Sequence, residues 1–249
     1  MGNNIRNTGK EKLEKWKKDL ESIEYDLMRL CASRRDFEKV QDVVLSVKDC
    51  KSEDEPFLSS FGAFANLVLR GYVTFIVMGI RRQLKAKDDT ISLIGILKDI
   101  KQNNQCISKK YLVSLYLLRY QDVSNHNKEL LKEMAEGDWK KLIGDCEYLL
   151  SEVVENDIKK LKDSAKEIEY FADKYLAHHD RERDDSKARR VTLNKINEAL
   201  KNFGDIYKKY CRLVEGCALT SLTPTPQFND QKFFGEFEIW LKERLCDKK

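Results

Sequence analysis

The sequence predicts an all-α protein, a helical bundle of long amphipathic helices. Three observations carry that prediction. The 249 residues include only three prolines and eleven glycines, too few to punctuate an all-β fold. Apolar residues return every three or four positions in one segment after another. No segment shows the strict alternation of a half-buried strand. With 41% hydrophobic and 35% charged residues, the chain can build a real core and stay soluble.

The elements follow in order. From Glu11 to Val47, the residues Leu13, Trp16, Leu20, Ile23, Leu27 and Leu30 fall at helical spacing among lysines and glutamates. The acidic stretch Lys51–Pro56 ends that region, and Pro56 suits the first turn of a second helix reaching Leu84. That helix is apolar, but Asn66 and Arg70 interrupt it, and no uncharged run reaches the roughly 20 residues of a membrane span. It therefore reads as a helix buried in a bundle, with Arg70 needing a partner or an outlet to water. Ser92 is placed to cap a shorter helix through Gln102. The apolar run Tyr111–Leu118 joins a longer helix system reaching Leu150, with His126 in a loop. Trp139–Asp180 reads as one long helix or two stacked ones: Ser164–Glu167 has capping-box form and favours a break at Asp163, but the stripe Ile158, Leu161, Ala165, Ile168, Ala172, Tyr175, His179 continues across it. A charged loop over Asp180–Arg190 leads to an amphipathic helix, Val191–Val214. The turn Thr223–Pro226 then delivers a last helix, Asp230–Leu245, with Phe233, Phe237, Trp240 and Leu241 on one face. The chain divides into an N-terminal helical region (1–55), a helical core (56–216), and a linker with its C-terminal helix (217–249).

Composition excludes several classes of function. A net charge of +4 is too small for a global field that attracts nucleic acid, so any such contact must come from a local basic patch. The seven cysteines are scattered and never form a Cys-x-x-Cys pair, which argues for free cytosolic thiols and against a zinc site. The glycines never cluster into a phosphate-binding loop. No metal or cofactor is expected, and the expected location is the cytoplasm.

The densest chemistry lies in Phe171–Asp180, which holds two of the three histidines side by side between acidic residues. An imidazole alone changes charge near physiological pH without perturbation, so His178 and His179 are the first candidates for acid–base work. On a continuing helix Lys174, His178 and Arg181 share a ridge, and Asp173, Ala177 and Asp180 lie on the next. A histidine with cations on one side and carboxylates on the other suits a phosphodiester: the ring moves a proton and the cations steady phosphate charge. Upstream, Arg81 and Arg82 close the apolar helix and precede Asp88 and Asp89, which could line a cleft or simply answer the helix dipole.

The stretch Tyr175-Leu-Ala-His-His-Asp180 at the end of a long helix resembles the signature of the HEPN superfamily, the higher eukaryotes and prokaryotes nucleotide-binding domains. It is most similar to the branch found in abortive-infection proteins of the U type. There the pattern runs approximately Arg-Asp-Lys-x-x-Ala-His-x-Asp. Arg81-Arg82 with Asp88-Asp89-Thr-Ile-Ser-Leu is similar to a second stretch of that branch, and the resemblance spans roughly Pro56–Val214. It implies a HEPN-like core with extra N- and C-terminal helices, acting on RNA in phage defence or a toxin–antitoxin system. It also implies metal-independent cleavage at a cleft shared by two protomers, in which the ribose 2′-hydroxyl attacks. The expected partners are RNA, a second copy of the chain and an antitoxin protein, with no membrane. Carried over residue by residue, His178 is the acid–base group and Asp173 and Asp180 orient it or the loop. Lys174, Arg181 and His179 lie toward substrate.

One position departs from the pattern. The branch places an arginine where this chain has Ala172, and alanine offers nothing in place of a planar phosphate ligand. Cleavage is therefore expected to be impaired, and Ala172→Arg is expected to restore it. Three readings stand open: a non-catalytic helical module that binds RNA or an antitoxin, a site where Lys174 or Arg181 substitutes, or an inactivating arginine-to-alanine change.

Overall fold

Helical periodicity fixes the framework. A computed structural model of the protein describes residues 2–47, 55–87, 89–119, 125–177, 191–226 and 229–245. These contain eight α-helices: α1 (Gly2–Ser46), α2 (Glu55–Leu84), α3 (Leu93–Gln102), α4 (Lys109–Arg119), α5 (Asn125–Leu142), α6 (Ser151–Phe171), α7 (Leu193–Glu215) and α8 (Asp230–Leu245). Among the described residues there is no strand beyond one isolated bridge, Ser108 with Tyr148. The all-α fold is as the sequence predicts.

The heptad-like run of α1 buries Trp16, Leu20, Ile23, Leu27 and Leu30 in one apolar cluster with the inner faces of α2 through α7. The N-terminal helix and the central bundle thus share a core. Trp16 Nε1 and Lys12 Nζ both donate to the Asp99 carboxylate, at 2.9 and 2.7 Å, and tie α1 to α3. Burial pushes the Asp99 carboxyl up, but the bonds from Lys12 and Trp16 and the charges of Lys12 and Lys15 outweigh it. The group stays below its ordinary value.

α1 and α2 approach closely at Gly79, where a Cβ would run into Leu30 Cδ2. Gln83 is fully buried yet satisfied. Its Nε2 donates to Asp26 of α1 at 3.1 Å, and its Oε1 accepts from Leu93 N of α3 at 3.0 Å. The α2 helix is less enclosed than the sequence suggested. Tyr72, Ile76, Val77 and Ile80 face the core, but Phe64, Leu67, Leu69 and Phe75 are exposed, as is Arg70. By length and composition Ser59–Leu84 could cross a membrane, and 28% of its most apolar window is buried here.

Local signals explain the remaining boundaries. Ser92 caps α3 as expected, its Oγ accepting from Gly95 N at 3.1 Å. The helix expected to continue to Leu150 ends at Leu142. There Gly144 takes a φ of +97°, and the chain returns alongside Ser108 through Lys109 N to Glu147 O at 2.9 Å. His126 lies in the first turn of α5, not in a loop. The break at Asp163 is absent. Ser164 Oγ donates back to Leu161 O at 3.0 Å instead of capping, and the buried stripe Ile158, Leu161, Ala165, Ile168 holds α6 together. α7 ends at Gly216, whose φ of +68° closes its last turn. α8 packs Leu241 and Leu245 on Val43 of α1 and on Val47 just beyond its end, in a second, small cluster. Phe233 and Trp240, expected on its packed face, are exposed.

Candidate functional site

The site is assembled at the end of α6. Its apolar stripe carries the chain inward as far as Ala172, and there the helix widens into a π segment, Ala172–Ala177. Such single-turn widenings frequently mark functional sites. Ala172 has no exposed surface and packs in the core. The next residue, Asp173, emerges at the edge of the bundle, with Lys174 after it. The ring of Tyr175 stacks on Phe171, with centroids 5.4 Å apart. His178, His179, Asp180 and Arg181 lie outside the described residues.

What meets Asp173 comes from α2. The last turn of that helix carries cations, which its dipole favours. Arg81 Nε donates to Asp173 Oδ1. Lys85 Nζ lies 3.5 Å from Asp173 Oδ2 and 3.1 Å from Glu169 Oε1. The adjacent Arg82 pairs with Asp26 of α1 at 2.8 Å. Arg81, Arg82 and Lys85 all open onto a cavity of about 480 Å³ between α1 and α2, which Arg29 and Lys87 also line. Five cations and Asp26 therefore face this space, on a floor that includes Leu30 and Met78. Three of these cations, Arg81, Arg82 and Lys85, are already paired with carboxylates.

Among the sequence-predicted residues, the structure places Ala172, Asp173 and Lys174 together on the π segment. It also brings Arg81 and Arg82 to one cleft, while Asp89 lines a different cavity and Asp88 lies outside the described residues. Sequence reasoning singled out Arg81 without pairing it to Asp173, 92 positions away, and it missed Lys85 and Glu169 altogether. Among the described residues, no three of His, Cys, Asp and Glu converge as a metal site would need.

This fold and its motif segment define a helical protein of the HEPN class. A family model described as AbiU2 (HEPN_AbiU2) matches residues 51–232, well over half of the chain. The chain belongs to that family, the U-type branch of the HEPN abortive-infection proteins. No curated protein and no solved structure matches it.

Proposed function

We propose that this abortive-infection protein cleaves RNA without a metal ion, at a site centred on His178. The observation that carries the reading is Arg81 docked on Asp173, within the segment that bears the family motif. The ribose 2′-hydroxyl attacks the adjacent phosphorus and the 5′-oxygen leaves. His178 serves as the proton-transfer group, and the fragments end in a 2′,3′-cyclic phosphate and a 5′-hydroxyl. Arg81 supplies the guanidinium that position 172 lacks. Its fork meets the non-bridging oxygens as charge builds on them, and Asp173 and Lys85 set its position. A second copy of the chain packs on the outward face of α2, where Phe64 and Leu67 are exposed, and the two sites lie across one interface. The protein works in the cytoplasm, with an antitoxin as its protein partner.

Ala172 favours a second reading, a non-catalytic module that binds RNA or an antitoxin. One experiment separates the two. The purified chain and its His178→Ala variant are incubated with RNA in EDTA. Cleavage that disappears in the variant is expected. Equal cleavage by both, or none by the unmodified chain, overturns the catalytic reading.

A further inference from the structure

Two features of the α1–α2 cleft are not used by the cleavage chemistry. Its outer wall is α1, which lies before the matched span of residues 51–232. At its rim, the guanidinium carbon of Arg29 sits 5.7 Å from the ring centroid of Tyr25 and 5.7 Å from that of Phe75 on α2. Tyr25 is 65% exposed and Phe75 39%. Arg29 lies over both rings, and each ring keeps surface open to water. Among the described residues Arg29 pairs with no carboxylate; the rings hold it. Arg82, Lys87 and Thr90, all exposed, line the same space, and Arg81 of that lining pairs with Asp173.

Stacking faces alternating with cations along a groove are what a single strand requires. Its bases are free to lie on rings while its phosphates meet Arg and Lys. A duplex keeps its base faces covered and could use only the charges. At about 480 Å³ the cavity takes one or two nucleotide units.

We infer that α1 turns this cleft into a binding groove for single-stranded RNA, with Tyr25 and Phe75 stacking bases and Arg29, Arg82 and Lys87 holding phosphates on the way to Arg81. The inference rests on the RNA reading above and adds a strand path from a helix outside the family match.

The test uses the full chain in a His178→Ala background and a labelled ten-nucleotide single-stranded RNA, followed by fluorescence anisotropy at several salt concentrations. Arg29→Gln with Lys87→Gln weakens binding at least tenfold and lowers the salt slope by about 1.4, about 0.7 for each cation withdrawn from a single-strand phosphate. Tyr25→Ala weakens single-strand binding about tenfold and leaves duplex RNA unaffected. Both variants alter exposed surface, and equal circular dichroism confirms that the fold is kept. Unchanged affinity in both variants overturns the groove, and leaves the catalytic reading standing if cleavage still depends on His178. A chain that never cleaves, yet binds less tightly with these substitutions, keeps the groove and overturns the catalytic reading. No binding of RNA by the unmodified chain overturns both.

Discussion

Replacing Arg81 by Gln separates chemistry from stability. The Arg81–Asp173 pair is partly open to water, with side chains 25% and 35% exposed. An ion pair so placed is worth about 1 kcal/mol, since solvent screens it and two long side chains lose freedom in holding it. For a protein of this size that lowers the melting temperature by about 2–4 °C. Against a folding free energy on the order of 5–15 kcal/mol, the unfolded fraction at 25 °C stays negligible. Removing a donor aimed at developing charge costs far more in rate, about 100-fold to 1,000-fold. Gel-resolved RNA cleavage and a thermal melt on the same preparation therefore give a large effect in one and a small effect in the other. Arg81→Lys keeps the charge but not the planar fork, and recovers part of the rate. An Arg81→Gln protein that cleaves within about threefold of the unmodified rate, still through His178, would refute the role given to Arg81.

Three further outcomes are expected. Ala172→Arg lowers the melting temperature by several degrees and does not raise cleavage. Its stem must displace core neighbours at a position with no exposed surface, at about 1–3 kcal/mol, so the restoration expected from the motif is not expected from the structure. Leu67→Glu leaves the monomer fold intact, because that side chain is 69% exposed, and converts a dimer to a monomer in light scattering with loss of cleavage. Asp99→Asn costs about 1–2 kcal/mol at pH 7, because Lys12 and Lys15 then face no charge. The folded carboxyl titrates below its ordinary value, so the stability it contributes is full above about pH 4 and vanishes as pH falls through the folded value. Urea melts of the two proteins should converge on acidification; a difference that persists unchanged at about pH 2.5, below the ordinary carboxylate range, would contradict this.

Much of the fold was legible because its signals are local. The heptad-like spacing from Trp16 to Leu30 and the Ser92 cap each act within a few residues and appear where expected, and Thr223–Pro226 lies outside any helix, as a linker there requires. The misreadings arose where one local signal met another. Ser164 has the side chain of a cap but spends its hydroxyl on Leu161 O, because the buried stripe of α6 keeps the helix intact. Gly144, with its positive φ, ends the helical path that the apolar spacing carried on to Leu150. Both faces of α8 are rich in apolar residues, so spacing alone could not choose Leu241 and Leu245 over Phe233 and Trp240.

The site was legible in half. The motif marked Asp173 and Lys174, and the stripe that contains Ala172 already pointed that side chain inward. Nothing in the sequence could join Asp173 to Arg81 or bring Arg29 to Phe75, because those contacts exist only once α1, α2 and α6 have packed. Gly79 held a usable sign of that close approach, since small residues in long apolar helices often mark where another helix comes near.

The central claim is tested most directly on one RNA offered to the chain in EDTA, in parallel with the same RNA carrying 2′-deoxyribose at the cleaved position. Cleavage of the first only, leaving a 2′,3′-cyclic phosphate and abolished in His178→Ala, is the predicted result. Cleavage of both RNAs, or cleavage that survives in His178→Ala, would contradict it.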